Sequence, residues 1–306
     1  MFLLFKIIIV LSFIFLLLQL GPTIYLFFQK GMPNLKKKYG AKWALITGGS
    51  TGIGYQFAED LASQDVNVVL LANNKDRLEN AKTKINEKYP NVEVRTISVD
   101  LSGDALDLEK ALDEHVAELN VNIVFSNAGY GTTFEFEEVG WEAVQKHINC
   151  NVVAHVKVAE WFLKQWKSRG KQATRGAIIF TSSVASYVPI EMLSELYGAS
   201  KAYLSIFAGS FAIRTKKFGL DTLVIQPGPV TTRFSEVAKI GKDPLKKYFQ
   251  RSPSSVSRLI FNALGKFTSI ETGFFSVIVK ALTRFLGKNL IVYVSQKTSP
   301  TTKKDK

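Results

Sequence analysis

Six short, almost unbroken apolar runs limit what this chain can fold into: Trp43–Thr47, Val66–Leu71, Val92–Ser98, Val121–Ser126, Gly176–Phe180 and Asp221–Gln226. The stretches between them carry helical periodicity, as in Asp104–Leu119 and Trp141–Arg169. A strand wetted on one side alternates apolar and polar residues, whereas one that is apolar throughout has both faces covered. Strands separated by helices are joined by crossovers and therefore run parallel. The expected fold is α/β, a doubly wound parallel sheet with helices on both faces. With 46% hydrophobic residues and 22 Phe among 306 residues, the chain has ample material for such a core.

The junction after the first run carries chemistry. Thr47-Gly48-Gly49-Ser50-Thr51-Gly52-Ile53-Gly54 follows a strand and opens a helix, so backbone N–H groups at that helix's start can approach a pyrophosphate. This makes the sheet Rossmann-type, although the spacing T-G-x-x-x-G-x-G differs from the common dinucleotide fingerprint. Far along the chain, Tyr197-Gly198-Ala199-Ser200-Lys201 stands 14 residues after Ser183. A phenol and an ammonium four residues apart share one helix face. The Lys charge is expected to pull the Tyr pKa below about 10, toward the range in which a phenol exchanges protons with a carbonyl or alcohol oxygen.

Together with Asn127-Ala128-Gly129 after the fourth strand and Pro227-Gly228 after the sixth, these motifs closely resemble the short-chain dehydrogenase/reductase family from about Trp43 to Phe234. The resemblance implies an NAD(P)-dependent enzyme acting on ketone or alcohol groups. It implies Tyr197 as general acid, Lys201 lowering its pKa and holding the nicotinamide ribose, and Ser183 donating to the substrate oxygen, with Ser182 as the fallback if the register shifts. Asn151 matches the fourth catalytic residue, which holds a water in the proton relay; Asn149 is its neighbouring competitor. The cofactor contacts it implies are Gly48, Ser50, Gly52, Ile53, Gly54, Asn73, Lys75, Asp100, Leu101, Asn127, Ala128, Gly129, Tyr197, Lys201, Pro227, Gly228, Val230 and Thr232. Strand two ends at Leu71-Ala72-Asn73-Asn74-Lys75 without a carboxylate for a ribose 2′-OH, and Lys75 or Arg77 is placed to reach a 2′-phosphate. NADP(H) is therefore expected over NAD(H).

Within the family, the hydrophobic N-terminus, Lys38-Tyr39-Gly40-Ala41-Lys42-Trp43-Ala44 and Thr96-Ile97-Ser98-Val99-Asp100 resemble the membrane-anchored branch. That branch holds very-long-chain 3-oxoacyl-CoA reductases and 17β-hydroxysteroid dehydrogenases; the 3-ketodihydrosphingosine reductases share the anchor and the turn. The implied substrate is a lipophilic ketone, long-chain 3-oxoacyl-CoA or steroid. A non-catalytic NADP-binding scaffold is the rival from another class, disfavoured by the intact Ser183, Tyr197 and Lys201. The Ser183-to-Tyr197 gap is one residue longer than usual, which puts the shape of the Val184–Leu196 loop in doubt.

Charge is distributed unevenly. Residues 1–42 carry six Lys and no acid, 43–228 hold 18 Lys+Arg against 22 Asp+Glu, and 229–306 hold 15 against four. The folded body is mildly acidic, so no nucleic-acid partner is expected; the basic flanks point to anionic lipid. Ile7–Phe28 would span roughly 33 Å as a helix, enough for a hydrocarbon core of about 30 Å. Lys30, Lys36, Lys37, Lys38 and Lys42 crowd its C-terminal side, which the positive-inside bias assigns to the cytosol. The expected location is the endoplasmic reticulum membrane, with a single-pass anchor and a cytosolic catalytic domain; Lys303-Lys304-Asp305-Lys306 matches the di-lysine retrieval pattern. The expected divisions are an anchor at 1–30, a basic linker at 31–42, a dinucleotide-binding catalytic domain at 43–235 and, as part of the same domain, a basic substrate or membrane-interface tail at 236–306. Within that tail, Ile270–Val294 carries Lys280, Arg284 and Lys288 in one helical stripe, with either a membrane-interface helix or an ordinary packed surface helix as its reading. A homodimer is a further expectation. Cys150 stands alone and so forms no intramolecular disulfide, and His115, His147 and His155 lack metal spacing; all three His are taken as structural or surface residues.

Overall fold

The computed structural model describes residues 2–133, 137–170, 173, 175–189, 195–234, 238 and 249–298. Its centre is a seven-stranded, wholly parallel sheet in the order β3-β2-β1-β4-β5-β6-β7. The strands are β1 Trp43–Thr47, β2 Asn67–Ala72, β3 Val94–Ser98, β4 Val121–Ser126, β5 Gly176–Thr181, β6 Leu220–Gln226 and β7 Ser269–Glu271. The first six fall on the apolar runs. The three-residue β7 was not anticipated, because so short an edge strand carries no periodicity of its own; it pairs through Val224↔Ser269 to Gln226↔Glu271.

Alternation along β1 explains the two layers. Ala44 and Ile46 point into a core shared with α3 Gly52–Ala62, α4 Lys75–Lys88 and α9 Pro253–Ala263. Trp43 and Leu45 point into a second core shared with α5 Ala105–His115 and α7 Ala154–Ser168. α8 Glu195–Thr215 lies on this second side against β6. The strand order reverses between β1 and β4, where ligands bind in doubly wound sheets.

Two expectations are corrected in detail, and the linker gains a defined structure. The stretch Trp141–Arg169 is not one helix but α6 Trp141–Ile148, a π-helical turn Asn149–Val153 and α7. In that turn the Ala154 N–H reaches the Asn149 carbonyl, and the extra residue re-aims Asn151 into the protein. Within the basic linker, α2 Leu35–Tyr39 buries Leu35 and Tyr39, and Gln64 accepts from the Leu35 N–H at 2.6 Å and donates to Pro33 O at 3.1 Å. The Tyr39 hydroxyl donates to the buried Asp221 carboxylate at 3.0 Å, which Arg175 and Lys216 also hold. Finally, Ile270–Val294 contains β7, α10 Phe274–Leu286 and α11 Lys288–Thr298, broken at Gly287 with φ +76°. Lys280 leaves the expected stripe and turns inward to pair with Glu271 at 2.7 Å.

The N-terminal helix α1 spans Phe2–Phe27 and is long and apolar enough to cross a membrane. Its C-terminal part touches the domain. Leu26 enters the first core, and Lys266 donates to the Tyr25 hydroxyl at 2.9 Å. Lys303-Lys304-Asp305-Lys306 lies outside the described residues.

Candidate active site

The Gly-rich turn is shaped by contacts that admit no side chain. Gly48 (φ +65°) and Gly52 (φ +61°) sit in the left-handed region. A Cβ on Gly54 would stand 2.2 Å from the Gly48 carbonyl, so this glycine lets α3 close onto β1. Thr51, the N-cap of α3, makes no side-chain capping bond, which leaves the first-turn N–H groups available to an anion. Asn127 ties three strands together: its backbone and side-chain N–H groups donate to Thr47, and Thr181 donates to its Oδ1 at 3.0 Å.

Beside this turn lies a cavity of about 780 Å³. Of the sequence-predicted residues, Gly48, Ser50, Gly52, Ile53, Asn73, Asp100, Leu101, Asn127, Ala128, Gly129, Ser183, Tyr197, Lys201, Pro227, Gly228, Val230 and Thr232 line it. Gly54, Lys75 and Asn151 do not. Arg77 lines it where Lys75 does not, because the first turn of α4 carries Lys75 outward. Asn151 sits one layer back, fully buried. Its Oδ1 accepts from the Tyr130 N–H at 3.0 Å and its Nδ2 donates to the Tyr130 carbonyl at 2.8 Å. A Cβ on Gly129 would meet both Asn151 Oδ1 and Lys201 Nζ, so the chain passes closely between them. Asn149 instead donates to the Ser102 and Gly103 carbonyls.

Ser182 and Ser183 are separated by what they bond. The Ser182 hydroxyl is committed to the Lys201 carbonyl at 2.7 Å, whereas the Ser183 oxygen accepts from the Ala185 N–H at 3.2 Å and lines the cavity with Tyr197. Lys201 Nζ donates to the Thr181 carbonyl at 3.0 Å and lies 5.7 Å from the centre of the Tyr197 ring. The expectation that Lys201 pulls the phenol pKa down does not hold in this geometry. Burial pushes Tyr197 up to about 12, with the Ser183 hydrogen bond drawing it back only in part, and burial lowers Lys201 to about 8. The physical reason is desolvation, which disfavours phenolate and ammonium alike. At neutral pH the site holds a protonated phenol beside a largely protonated amine.

Several lining residues carry no sequence signal. Phe234 packs on Tyr197 at 5.4 Å, and Phe249 and Phe275 meet at 5.3 Å. An isolated Phe outside any motif reads as core, so only the fold could assign these three to the cavity. The carbonyl of Thr181, which holds Lys201, is likewise invisible to residue type. Leaving the Ser183 turn, Tyr187 donates to Glu271 at 2.6 Å, so β7 and Lys280 of α10 are linked to the cavity wall. Residues 190–194 of the Val184–Leu196 loop lie outside the described residues. Cys150 is buried at the cavity edge with its thiol pushed up to about 11 by desolvation, the state of an inert packing residue.

Residues 42–242 match the model of the family described as short chain dehydrogenase. The chain belongs to the short-chain dehydrogenase family. It is an oxidoreductase of that family, in the branch of proteins named very-long-chain 3-oxoacyl-CoA reductase. One such relative, a reductase-like protein of Arabidopsis thaliana, is 31% identical over 237 residues, 76% of this chain and 73% of its own length. The very-long-chain 3-oxoacyl-CoA reductase of Mus musculus is 31% identical over 204 residues, which is 65% of this chain and 62% of the mouse protein. Among solved structures, a 7beta-hydroxysteroid dehydrogenase superposes with a TM-score of 0.72 at 25% identity, covering 82% of this chain and 95% of that one.

Proposed function

We propose that this protein is an NADP(H)-dependent reductase that converts a ketone on a lipophilic substrate to an alcohol, a long-chain 3-oxoacyl-CoA in the first instance. The observation that carries the proposal is the convergence of Ser183, Tyr197 and Lys201 on a cavity that also holds the glycine turn and three Phe rings. The names of the relatives supply the substrate class, and a steroid or sphingoid ketone has the same lipophilic character. The residues fit a dinucleotide: left-handed glycines at Gly48 and Gly52 clear space beside an uncapped helix start, and Arg77 stands near the end of β2 where a 2′-phosphate would be met. That NADP(H) is bound by structural neighbours, such as L-sorbose reductase from Gluconobacter frateurii complexed with NADPH, accords with this.

When bound, the nicotinamide supplies the hydride. The protein's own residues do the rest. Tyr197, held protonated by burial, gives its proton to the carbonyl oxygen as negative charge grows there. Ser183 donates a hydrogen bond to the same oxygen and stabilises that charge. The Lys201 ammonium, anchored on the Thr181 carbonyl, favours the phenolate that remains once the proton has left. Asn151 positions the Tyr130 backbone behind them and serves the proton relay from that second layer.

The protein is further proposed to be a single-pass protein of the endoplasmic reticulum membrane, with residues after 30 in the cytosol and the 236–306 tail part of the same domain as residues 43–235. Profiling of membrane preparations against 3-oxoacyl-CoA, steroid and sphingoid ketones tests the substrate. Tyr197→Phe tests the mechanism: turnover is expected to fall by roughly 10²–10⁴-fold while NADPH still binds. Retention of more than about a tenth of wild-type turnover would remove Tyr197 from the role of acid.

A further inference from the structure

We propose that α10 and α11, together with the base of α1, form a second membrane-contacting surface that sets the mouth of the cavity against the bilayer. This rests on the proposed lipophilic substrate only in what it says about substrate entry; the surface itself rests on packing. The helix α1, apolar enough to span, packs at its base against α9, β7 and α10, and Arg284 of α10 donates to Gln19 of α1. The position of α10 relative to a bilayer holding α1 is thereby set.

The outward side of these two helices is apolar to an extent unusual for a surface facing water. Phe274, Leu282, Phe285, Leu290, Tyr293 and Val294 are all exposed, Phe285 at 79%. Contiguous exposure of this kind marks a contact face. The occupant is indicated by two features. The surface is continuous with the foot of a spanning helix, and residues 249–298 carry seven Lys+Arg against one acid, Glu271, which is buried. Aromatic and aliphatic side chains interleaved with Arg284, Lys288 and Lys297 suit the boundary between acyl chains and anionic headgroups.

The link to the site comes from the first turn of α10. Phe274 lies on the outer surface at 66% exposure, while its neighbour Phe275 lines the cavity against Phe249. One helical turn therefore separates lipid from the catalytic space. A substrate dissolved in the bilayer reaches Tyr197 past Phe274, Phe275 and Phe249 without crossing water, and a water-soluble headgroup such as a CoA thioester stays on the cytosolic side.

Site-directed quenching in the full chain tests this. The native Cys150 is buried, so a thiol introduced by Phe285→Cys or Tyr293→Cys takes an environment-sensitive label selectively, with Leu106→Cys on α5 as the water-facing control. The labelled chains are reconstituted into phosphatidylcholine–phosphatidylserine vesicles with and without lipid bearing a nitroxide on its acyl chain. The labels at 285 and 293 are expected to be quenched several-fold more than the label at 106. Equal quenching at all three positions overturns the surface. Quenching is read without turnover, so a protein inactive on every long-chain ketone, yet quenched at 285 and 293, would count against the proposed function and leave the surface standing. Substrate entry is read separately with Phe285→Asp: KM for a vesicle-borne long-chain ketone is expected to rise several-fold, with kcat/KM for a short water-soluble ketone unchanged. An unchanged KM for the vesicle-borne ketone overturns the entry route.

Discussion

Lowering the pH from 8 to 5 is expected to remove a large part of this protein's stability, for a reason that lies behind the active site. His147 and His155 are 0% and 2% exposed. Burial, reinforced by the Lys201 charge, lowers His147 to about 4 and His155 to about 3. Hydrogen bonding makes the neutral forms specific. The His155 Nε2–H must donate to the Ala128 carbonyl at 2.8 Å, while Nδ1 faces the Ser126 hydroxyl at 2.7 Å. His147 Nε2 must accept from Asn151 Nδ2 at 2.8 Å, because the Asn151 amide is oriented by both backbone groups of Tyr130. Protonating His147 there sets donor against donor. In the unfolded chain both imidazoles titrate near 6.5, so below about pH 6.5 the unfolded chain binds more protons and stability falls as pH falls. At pH 5 each His costs about 2 kcal/mol, and the pair about 4 kcal/mol, against a total of roughly 5–15 kcal/mol for a folded domain. The assay is urea unfolding of the detergent-solubilised full chain, followed by tryptophan fluorescence at pH 8, 6.5 and 5. Substituting His155→Gln removes one titrating group, so the loss between pH 8 and pH 5 should shrink by about 2 kcal/mol whatever the variant's stability at pH 8. If the loss is the same in wild type and variant, the reasoning is refuted.

Two glycines should respond oppositely. Gly54→Ala forces a Cβ to within 2.2 Å of the Gly48 carbonyl and is expected to cost about 1–3 kcal/mol and to weaken NADPH binding, whereas Gly209→Ala, with nothing within 4 Å on α8, should stabilise by about 1 kcal/mol; urea unfolding and cofactor titration read both. Tyr39→Phe leaves the buried Asp221 with only Arg175 and Lys216 and should cost about 1–3 kcal/mol, measured as a shifted unfolding midpoint. Arg77→Ala should lower kcat/KM for NADPH more than for NADH; an equal effect on both cofactors would take Arg77 away from the 2′-phosphate. Carbonate washing of membranes should leave the chain in the pellet, and protease added to sealed microsomes should digest the domain after residue 30; a protected domain would reverse the proposed orientation.

The amino-acid sequence by itself determined the layered α/β fold and six of the seven strands among the described residues, because runs such as Val121–Ser126 are apolar on both faces and only a covered parallel sheet accommodates them. It also marked the glycine turn and the long apolar N-terminal helix, both written in local composition. The lining of the cavity beyond the motifs was decided by tertiary structure. Phe234, Phe249 and Phe275 come from segments with no common signal, yet they line one cavity with Tyr197, and Phe234 packs on its ring. The inward turn of Lys280 to Glu271 came from a partner on β7, a strand too short to read. The protonation of Tyr197 was decided there as well. A four-residue spacing reports that a Lys is near, but desolvation depends on everything that covers the pair, and burial is what raises the phenol here. Proximity along a helix is a local property of the sequence, whereas burial belongs to the folded whole.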